Sequence, residues 1–261
     1  KRPVPAHRLH IHIPEQTSVV MGHTRMTTQG SEKQNFNNHP FRSRAGGQAF
    51  ALAHNGVLTN DIALRKQHKL PRTNIETDSF AAVQLLEQYG DISFSSLRSM
   101  AEQVKGTFSF TVLDGQDNLY FVKGDNPLCL YHYPQIGLYL YASTESVLLA
   151  ALRRMSCHFG VPVQVVLTCG EILRINARGK QARAEFDSRN LFRRNFSYAY
   201  MLDPPSKKQS LPVRVNSEKE YIQGLRSVAA FYGYNPDCID DLLQDGFSTD
   251  DIEDMLYCGG F

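Results

Sequence analysis

The stretch from Val19 to Asp78 decides the fold, because short polar clusters in it follow or interrupt apolar, strand-like runs. The clusters are GHTRMTTQG (residues 22–30), NNHPF (37–41), AHNGV (53–57) and ETD (76–78). Loops at the ends of rigid strands are where proteins commonly place binding groups. Separate segments of the stretch therefore offer a guanidinium, a carboxamide beside a glycine, and a carboxylate. Together these groups suit the recognition of an amino acid.

The overall composition is that of a globular protein. With 261 residues, of which 42% are apolar, the chain can form one large domain or a domain with a small appendage. Its 28 basic and 26 acidic residues nearly cancel, so the charge balance does not indicate nucleic acid or an anionic membrane as a partner. No apolar run approaches the roughly 18 residues of a membrane span, and no signal peptide is visible. We therefore expect a cytoplasmic protein without membrane association.

The five cysteines do not suggest a disulfide framework or a metal site. They are odd in number, widely separated and contain no Cys-x-x-Cys pair. We expect isolated reduced thiols. No glycine-rich phosphate loop and no cluster of Cys and His ligands is present, so the sequence predicts neither a cofactor nor a metal.

The order of predicted elements alternates between strands and helices. Apolar and β-branched runs predict strands over 17–21 and 48–58, separated by a long polar loop at 27–47. Helical spacing predicts helices over 77–90 and 93–104. The region 107–142 predicts an antiparallel meander, followed by a helix at 145–154 and closing strands at 163–167, 171–175 and 182–186. This pattern is typical of an α+β domain.

The composition changes after Ser188, and we predict three parts. Residues 1–188 form the main domain, residues 189–215 a linker packed on it, and residues 216–261 a small acidic helical segment. No Lys or Arg follows Arg226, whereas eight acidic residues lie between Asp237 and Asp254. The acidic helices could be a docking surface for another protein, or a solvated bundle that covers an apolar patch.

The polar clusters supply the groups needed to bind and cleave an amino-acid side chain. An α-carboxylate pairs well with an arginine fork, an α-ammonium needs a carboxylate, and a carbonyl under attack needs donors aimed at the developing oxyanion. Arg25, Asp78 and the Asn55–Gly56 pair provide one of each. Taken singly, each has a plain structural explanation: a surface ion pair for Arg25, a helix cap for Asp78, and a hairpin turn for Asn55–Gly56.

In this order and spacing the clusters are much more specific. They resemble the glutaminase domain of the class II glutamine amidotransferases, which are N-terminal-nucleophile (Ntn) hydrolases. The matching pieces are HTRMTTQG (23–30), NHP (38–40), HNG (54–56) and ETD (76–78), and weaker agreement continues at 106–110, 125–128, 142–145 and 170–172. The resemblance covers residues 17–175.

The resemblance implies both a fold and a reaction. The fold would be a four-layer αββα sandwich of two antiparallel sheets, here with a small C-terminal helical appendage. The reaction would be hydrolysis of glutamine to glutamate and ammonia through a thioester on an N-terminal cysteine, whose α-amino group acts as the base. By motif match, Asn55 and Gly56 would form the oxyanion hole, Arg25 would hold the substrate carboxylate, Asp78 its ammonium group, and Thr28 would line the pocket.

The sequence departs from the family pattern at the nucleophile. Residue 1 is Lys1, only 22 residues precede His23, and none of the five cysteines lies at the chain start. We expect that the nucleophilic cysteine and the N-terminal part of the domain belong to segments missing from this sequence. The alternative is a non-catalytic glutamine-binding or regulatory protein. Two smaller departures from the family pattern, at Met26 and Gln29, bear on the identity of the ammonia acceptor.

The expected ligand is L-glutamine, and the ammonia acceptor is not encoded here. No synthase-like domain follows residue 188, because only a linker and short helices remain. The acceptor site must then lie on another protein or be absent, and in the first case a separate acceptor or synthase protein could dock on the C-terminal helices.

Overall fold

The computed structural model describes residues 11–24, 31, 33–155, 159–189, 191, 222, 225, 226, 229, 234–247, 252 and 255. The chain divides into two compact units, Lys1–Pro204 and Pro205–Phe261. The predicted boundaries at residues 188 and 215 stay a prediction. Two of the predicted site residues, Arg25 and Thr28, lie outside the described residues.

The first unit is α+β and contains two antiparallel sheets. Its strands are β1 (Phe41–Ala45), β2 (Gln48–Leu58), β3 (Gly106–Asp114), β4 (Leu119–Lys123), β5 (Cys129–Tyr133), β6 (Leu138–Ala142), β7 (Val163–Gln164), β8 (Glu171–Ile175) and β9 (Gln181–Glu185). Six of them form one sheet in the order β1-β2-β3-β4-β8-β9, and three form the other in the order β6-β5-β7. All neighbouring strands are antiparallel.

The helices of this unit are α1 (Asp61–Gln67), α2 (Phe80–Tyr89), α3 (Phe94–Gln103) and α4 (Glu145–Arg153). The structure confirms the predicted helices at α2, α3 and α4, whereas α1 was not predicted. A left-handed Gly90 ends α2, and a capping box between Ser93 and Ser96 begins α3. No helix in the described ranges is both long and apolar enough to cross a bilayer.

The core follows from the alternation of side chains along each strand. On β4, Val122 belongs to the large core with the buried side chains of α2 and α3. Phe121 instead packs with Leu130 of β5, so that face of the six-stranded sheet meets the smaller sheet. The next residue of β5, Tyr131, packs with Leu148 of α4. Each sheet therefore contacts helices on one face and the other sheet on the opposite face.

Two predictions about the first strands were wrong. Residues 17–21 are not a strand; Val19 and Met21 pack against the core between the sheets without joining a ladder. Conversely, the predicted loop at 27–47 contains β1, which pairs with β2 through the tight turn at residues 46–47. A five-residue strand with two arginines and a serine has little apolar signal, so its two buried ends, Phe41 and Ala45, were overlooked.

The predicted meander over 107–142 is also wrong in its middle. Strands β3 and β4 pair, and β5 and β6 pair, but β4 and β5 belong to different sheets. The segment between them, residues 124–128, crosses from one sheet to the other. Local turn residues cannot distinguish a hairpin from such a crossing, because both need the same turn chemistry.

The second unit is described at fewer positions. It contains α5 (Cys238–Gln244), which begins after Asn235-Pro236 as predicted. Ile239 is buried, and Arg226 forms an ion pair with Asp240 at 2.6 Å. Leu225, Ala229 and Ile252 are buried as well. The other two predicted helices fall largely outside the described residues.

Candidate functional site

The end of β2 carries the predicted oxyanion pair. Asn55 and Gly56 lie opposite Ser109 and Phe108 of β3. The Asn55 side chain is half-buried, and its carboxamide makes no hydrogen bond to the described residues. Gly56 has φ +137°, and a Cβ built there would lie 2.1 Å from the Thr107 carbonyl oxygen. Only glycine fits this close approach of two backbones.

The loop after β4 is held against this end of β3. Ser109 Oγ donates to the Asn126 carbonyl at 2.6 Å, and the buried Lys123 Nζ donates to the same oxygen at 2.8 Å. The Phe108 N–H donates to Asp125 Oδ1 at 2.9 Å. Burial raises the pKa of Asp125, although this hydrogen bond opposes the shift. These contacts stiffen the strand that faces Asn55 and Gly56.

Asp78 lies directly before α2 and is tied to β2. Its Oδ2 accepts the Leu58 N–H at 2.5 Å, and its Oδ1 lies 3.3 Å from Ser79 Oγ. The positive end of the α2 dipole favours a carboxylate at this position. The carboxylate that is predicted to bind the ammonium group is therefore hydrogen-bonded to the strand that carries Asn55 and Gly56.

His54 is a buried, neutral member of the same site. Its ring stacks on Phe110 with centroids 4.6 Å apart, Nε2 lies 3.2 Å from the Thr107 carbonyl oxygen, and Nδ1 lies 2.7 Å from Ser79 Oγ. Burial lowers the pKa of His54 to about 4, even though Asp78 and the Thr107 carbonyl pull it upward. The imidazole is therefore uncharged at neutral pH.

A second network anchors residue 31 beside ETD (76–78). The buried Asn37 side chain donates to Glu76 Oε2 at 2.9 Å and accepts the Glu76 N–H at 3.0 Å. The Ser31 N–H donates to the same Glu76 carboxylate at 3.3 Å. Before the undescribed residues 25–30, the His23 ring lies 4.4 Å from the ring of His39. His23 and Ser31 thus contact the loops that carry His39 and Glu76.

The structure brings three of the five predicted site residues, Asn55, Gly56 and Asp78, to the same end of the six-stranded sheet. Sequence reasoning missed the supporting side chains Ser79 and Lys123. The sequence offers one indication for Lys123, because it is the single charged residue at the end of an apolar strand. For Ser79 the sequence indicates only the start of a helix. The described residues contain no group of His, Cys, Asp and Glu side chains that could hold a metal ion.

The part of the chain that contains this site matches a known protein family. Residues 23–150 match the model described as "Glutamine amidotransferase domain". These residues form a class II glutamine amidotransferase domain. The match includes every strand and loop that positions Asn55, Gly56 and Asp78, so the site described above lies wholly within the amidotransferase domain.

Relatives and solved structures agree with this assignment. The glutamine–fructose-6-phosphate aminotransferase of Bacillus cereus is 33% identical over 118 residues, which are 43% of this chain and 19% of the relative. The enzyme of the same name from Streptococcus agalactiae is 30% identical over 118 residues, 42% of this chain and 19% of the relative. The amidotransferase domain here thus corresponds to about a fifth of the length of these curated relatives.

Among solved structures, the glutamine phosphoribosylpyrophosphate amidotransferase from B. subtilis is 20% identical, with a TM-score of 0.51. The alignment covers 63% of this chain and 34% of that chain. A structure titled as the allosteric regulatory enzyme of purine biosynthesis is 19% identical, with a TM-score of 0.50 over 74% of this chain and 40% of that one. At this identity the likeness concerns the fold alone, and it supports an Ntn-hydrolase-like fold for the amidotransferase domain.

The neutral state of His54 predicts how stability depends on pH. Because its pKa is about 4 in the folded protein and 6.5 in the unfolded chain, the unfolded state binds more protons between these values. The free energy of unfolding should therefore fall as the pH drops from 6.5 towards 4, by about 3 kcal/mol in total from this residue. Urea unfolding of the wild type and of His54→Phe across this range would measure it. The prediction fails if both proteins lose stability in parallel.

Proposed function

We propose that this domain binds L-glutamine and hydrolyses its side-chain amide to glutamate and ammonia. Asn55 and Gly56 would stabilise the oxyanion, Asp78 would bind the α-ammonium group, Arg25 would bind the α-carboxylate, and Thr28 would line the pocket. The observation that carries the proposal is the hydrogen bond from Leu58 N–H to Asp78. It joins the carboxylate to the strand that bears the Asn-Gly pair, two residues beyond Gly56.

The proposed chemistry needs a cysteine thiolate at the N-terminus of the native chain. The thiolate would attack the amide carbon, and the negative charge on the carbonyl oxygen would be met by the Asn55 carboxamide and the Gly56 N–H. As the tetrahedral intermediate collapses, the departing amide nitrogen takes the proton that the cysteine's α-amino group had removed from the thiol, and it leaves as ammonia. Water then hydrolyses the thioester to glutamate and regenerates the thiol. Because Gly56 lacks a Cβ, nothing on this residue obstructs the substrate.

The finer architecture belongs to the same proposal. We propose a four-layer αββα sandwich with a small C-terminal helical appendage. The three cores described above support it, because α2 and α3 pack on one sheet, the two sheets pack on each other, and α4 packs on the outer face of the second sheet.

We also propose how the ammonia is used and where the protein acts in the cell. The ammonia would be used by a separate acceptor or synthase protein that docks on the C-terminal helices, in the cytoplasm. The acidic side chains at 237–254 would give that docking surface its charge.

A second function, glutamine binding without turnover, is favoured by the raised pKa values of two cysteine thiols. Burial and the nearby Glu145 raise the pKa of Cys129 to about 11, and burial also raises the pKa of Cys238. Thiols with raised pKa values are poor nucleophiles at neutral pH. If the native chain has no cysteine at its start, the site could still hold glutamine as a sensor.

Binding and turnover distinguish these functions. Calorimetry should detect L-glutamine binding, and Asp78→Asn should weaken it by about 10- to 100-fold, because a charge-assisted hydrogen bond is lost. Asp91→Asn, at an exposed position, is the matched control and should bind like the wild type.

N-terminal sequencing of the native protein and an ammonia-release assay complete the test. A first-residue cysteine with glutamine-dependent ammonia release indicates the enzyme, whereas binding without release indicates the sensor. If the wild type binds no glutamine, both functions are wrong.

A further inference from the structure

Beside the proposed ligand site, the buried Ser79 hydroxyl lies between two buried hydrogen-bond partners, His54 and Asp78. His54, Ser79 and Asp78 are 3%, 2% and 4% exposed. Ser79 Oγ lies 2.7 Å from His54 Nδ1 and 3.3 Å from Asp78 Oδ1. A serine hydroxyl carries a single hydrogen, so it can donate to only one of these two neighbours at a time.

The position of each proton follows from the partners. A carbonyl oxygen only accepts, so the Thr107 carbonyl requires a hydrogen on His54 Nε2. The buried ring is neutral, as its pKa of about 4 indicates, and Nδ1 is therefore a bare acceptor. The Ser79 hydroxyl is placed to donate to either neighbour, and with a bare Nδ1 it donates across the shorter distance, 2.7 Å to His54 rather than 3.3 Å to Asp78 Oδ1. Its lone pairs then face Asp78.

The Ser79 side chain does not cap α2. The residue directly precedes the helix, but its backbone is already helical, with φ −55° and ψ −26°, and its side chain makes no cap hydrogen bond. The hydroxyl is therefore available to His54.

We propose that His54 is a positioning residue for ammonium recognition, because by accepting the Ser79 hydroxyl it leaves Asp78 Oδ1 open to the α-ammonium group of an amino acid. The other oxygen, Oδ2, is already occupied by the Leu58 N–H. The Ser79 oxygen becomes a second acceptor beside Oδ1. This inference rests on the proposed function, because it explains how Asp78 of the same site would be kept available for the α-ammonium group of glutamine.

A pair of ligands separates this role from simple packing. Glutaramic acid is glutamine without its α-amino group, so it does not need Asp78 Oδ1. His54→Phe keeps an aromatic ring to stack on Phe110 but removes the acceptor, and the Ser79 hydroxyl is then free to turn to Asp78. We expect the Kd for L-glutamine to rise about tenfold, with the Kd for glutaramic acid unchanged within about twofold.

Two further variants test the mechanism directly. His54→Asn places a carbonyl oxygen near the position of Nδ1 and should recover most of the glutamine affinity. In the double variant His54→Phe with Ser79→Ala the competing hydroxyl is gone, so L-glutamine should bind more tightly than to His54→Phe alone. His132→Phe, in the second sheet, is the matched control, since its ring stacks on Tyr139 in a comparable way.

Ligand-free protein labelled with ¹⁵N-histidine provides an independent readout. At pH 7, NMR should show His54 as the neutral form with the hydrogen on Nε2. A hydrogen on Nδ1, a charged ring, equal loss of both ligands, or no recovery in the double variant would each overturn the inference. A wild type that binds neither ligand overturns the proposed function itself, whereas one that binds both and shows no selective loss in His54→Phe overturns only the role of His54.

Discussion

Gly56→Ala is expected to lower the free energy of unfolding by about 4 kcal/mol, the sum of backbone strain and overpacking. The residue has φ +137°, which an L-residue rarely adopts. The new Cβ would lie 2.1 Å from the Thr107 carbonyl oxygen and 2.9 Å from His54 Nε2. Because the nearest atom is backbone in a central strand pair, it cannot move aside without opening the β2–β3 ladder.

Gly47→Ala is the matched control for this prediction. Gly47 also has a positive φ, +87°, but no atom lies within 4 Å of its added Cβ. It should lose only about 1–2 kcal/mol, the strain of a left-handed residue. Urea denaturation of both variants at pH 7 measures the difference. If the two substitutions cost the same, the close approach at Gly56 has no energetic consequence and the account of this backbone is wrong.

Asn55→Ala is expected to lower kcat for glutamine hydrolysis by about 10²- to 10³-fold in the native protein, because one donor to the oxyanion is removed. The carboxamide makes no hydrogen bond to the described residues, so its loss should change the free energy of unfolding by less than about 1 kcal/mol. The binding constant for L-glutamine should remain close to that of the wild type, since the oxyanion forms only during the reaction.

The design separates a catalytic loss from a folding defect. Asn74→Ala removes the same side chain from an exposed position in the loop before ETD and should hydrolyse glutamine normally. Unchanged hydrolysis in Asn55→Ala would contradict the oxyanion assignment. Weaker glutamine binding together with lost activity would instead make Asn55 a ground-state contact.

Much of the site could be predicted from the sequence because its chemistry depends on residue types in a fixed order. The Asn-Gly pair, the carboxylate of ETD and the helix that follows it are local features, and local features survive without knowledge of the whole fold. The helices α2 and α3 were predictable for the same reason, since their stripes and end signals lie within about a dozen residues.

Features that depend on contacts between distant segments could not be predicted. β1 was missed because its burial at Phe41 and Ala45 depends on pairing with β2. The split between β4 and β5 was missed because nothing local says which sheet a strand joins. The charge at the end of β4 is visible in the sequence, but the role of Lys123 is not, because a lysine becomes a buried anchor only when the Asn126 carbonyl is folded over it.

The sequence by itself therefore determined the class of domain and the chemical groups it offers, since those are properties of residue types and their order. Only the tertiary structure decided how those groups are held. The Leu58–Asp78 hydrogen bond, the 2.1 Å approach that excludes a side chain at Gly56, and the 2.7 Å contact between His54 Nδ1 and Ser79 Oγ all join residues from different elements. Their geometry arises when β2, β3 and α2 pack together, because none of these three segments can bury or orient its polar groups alone.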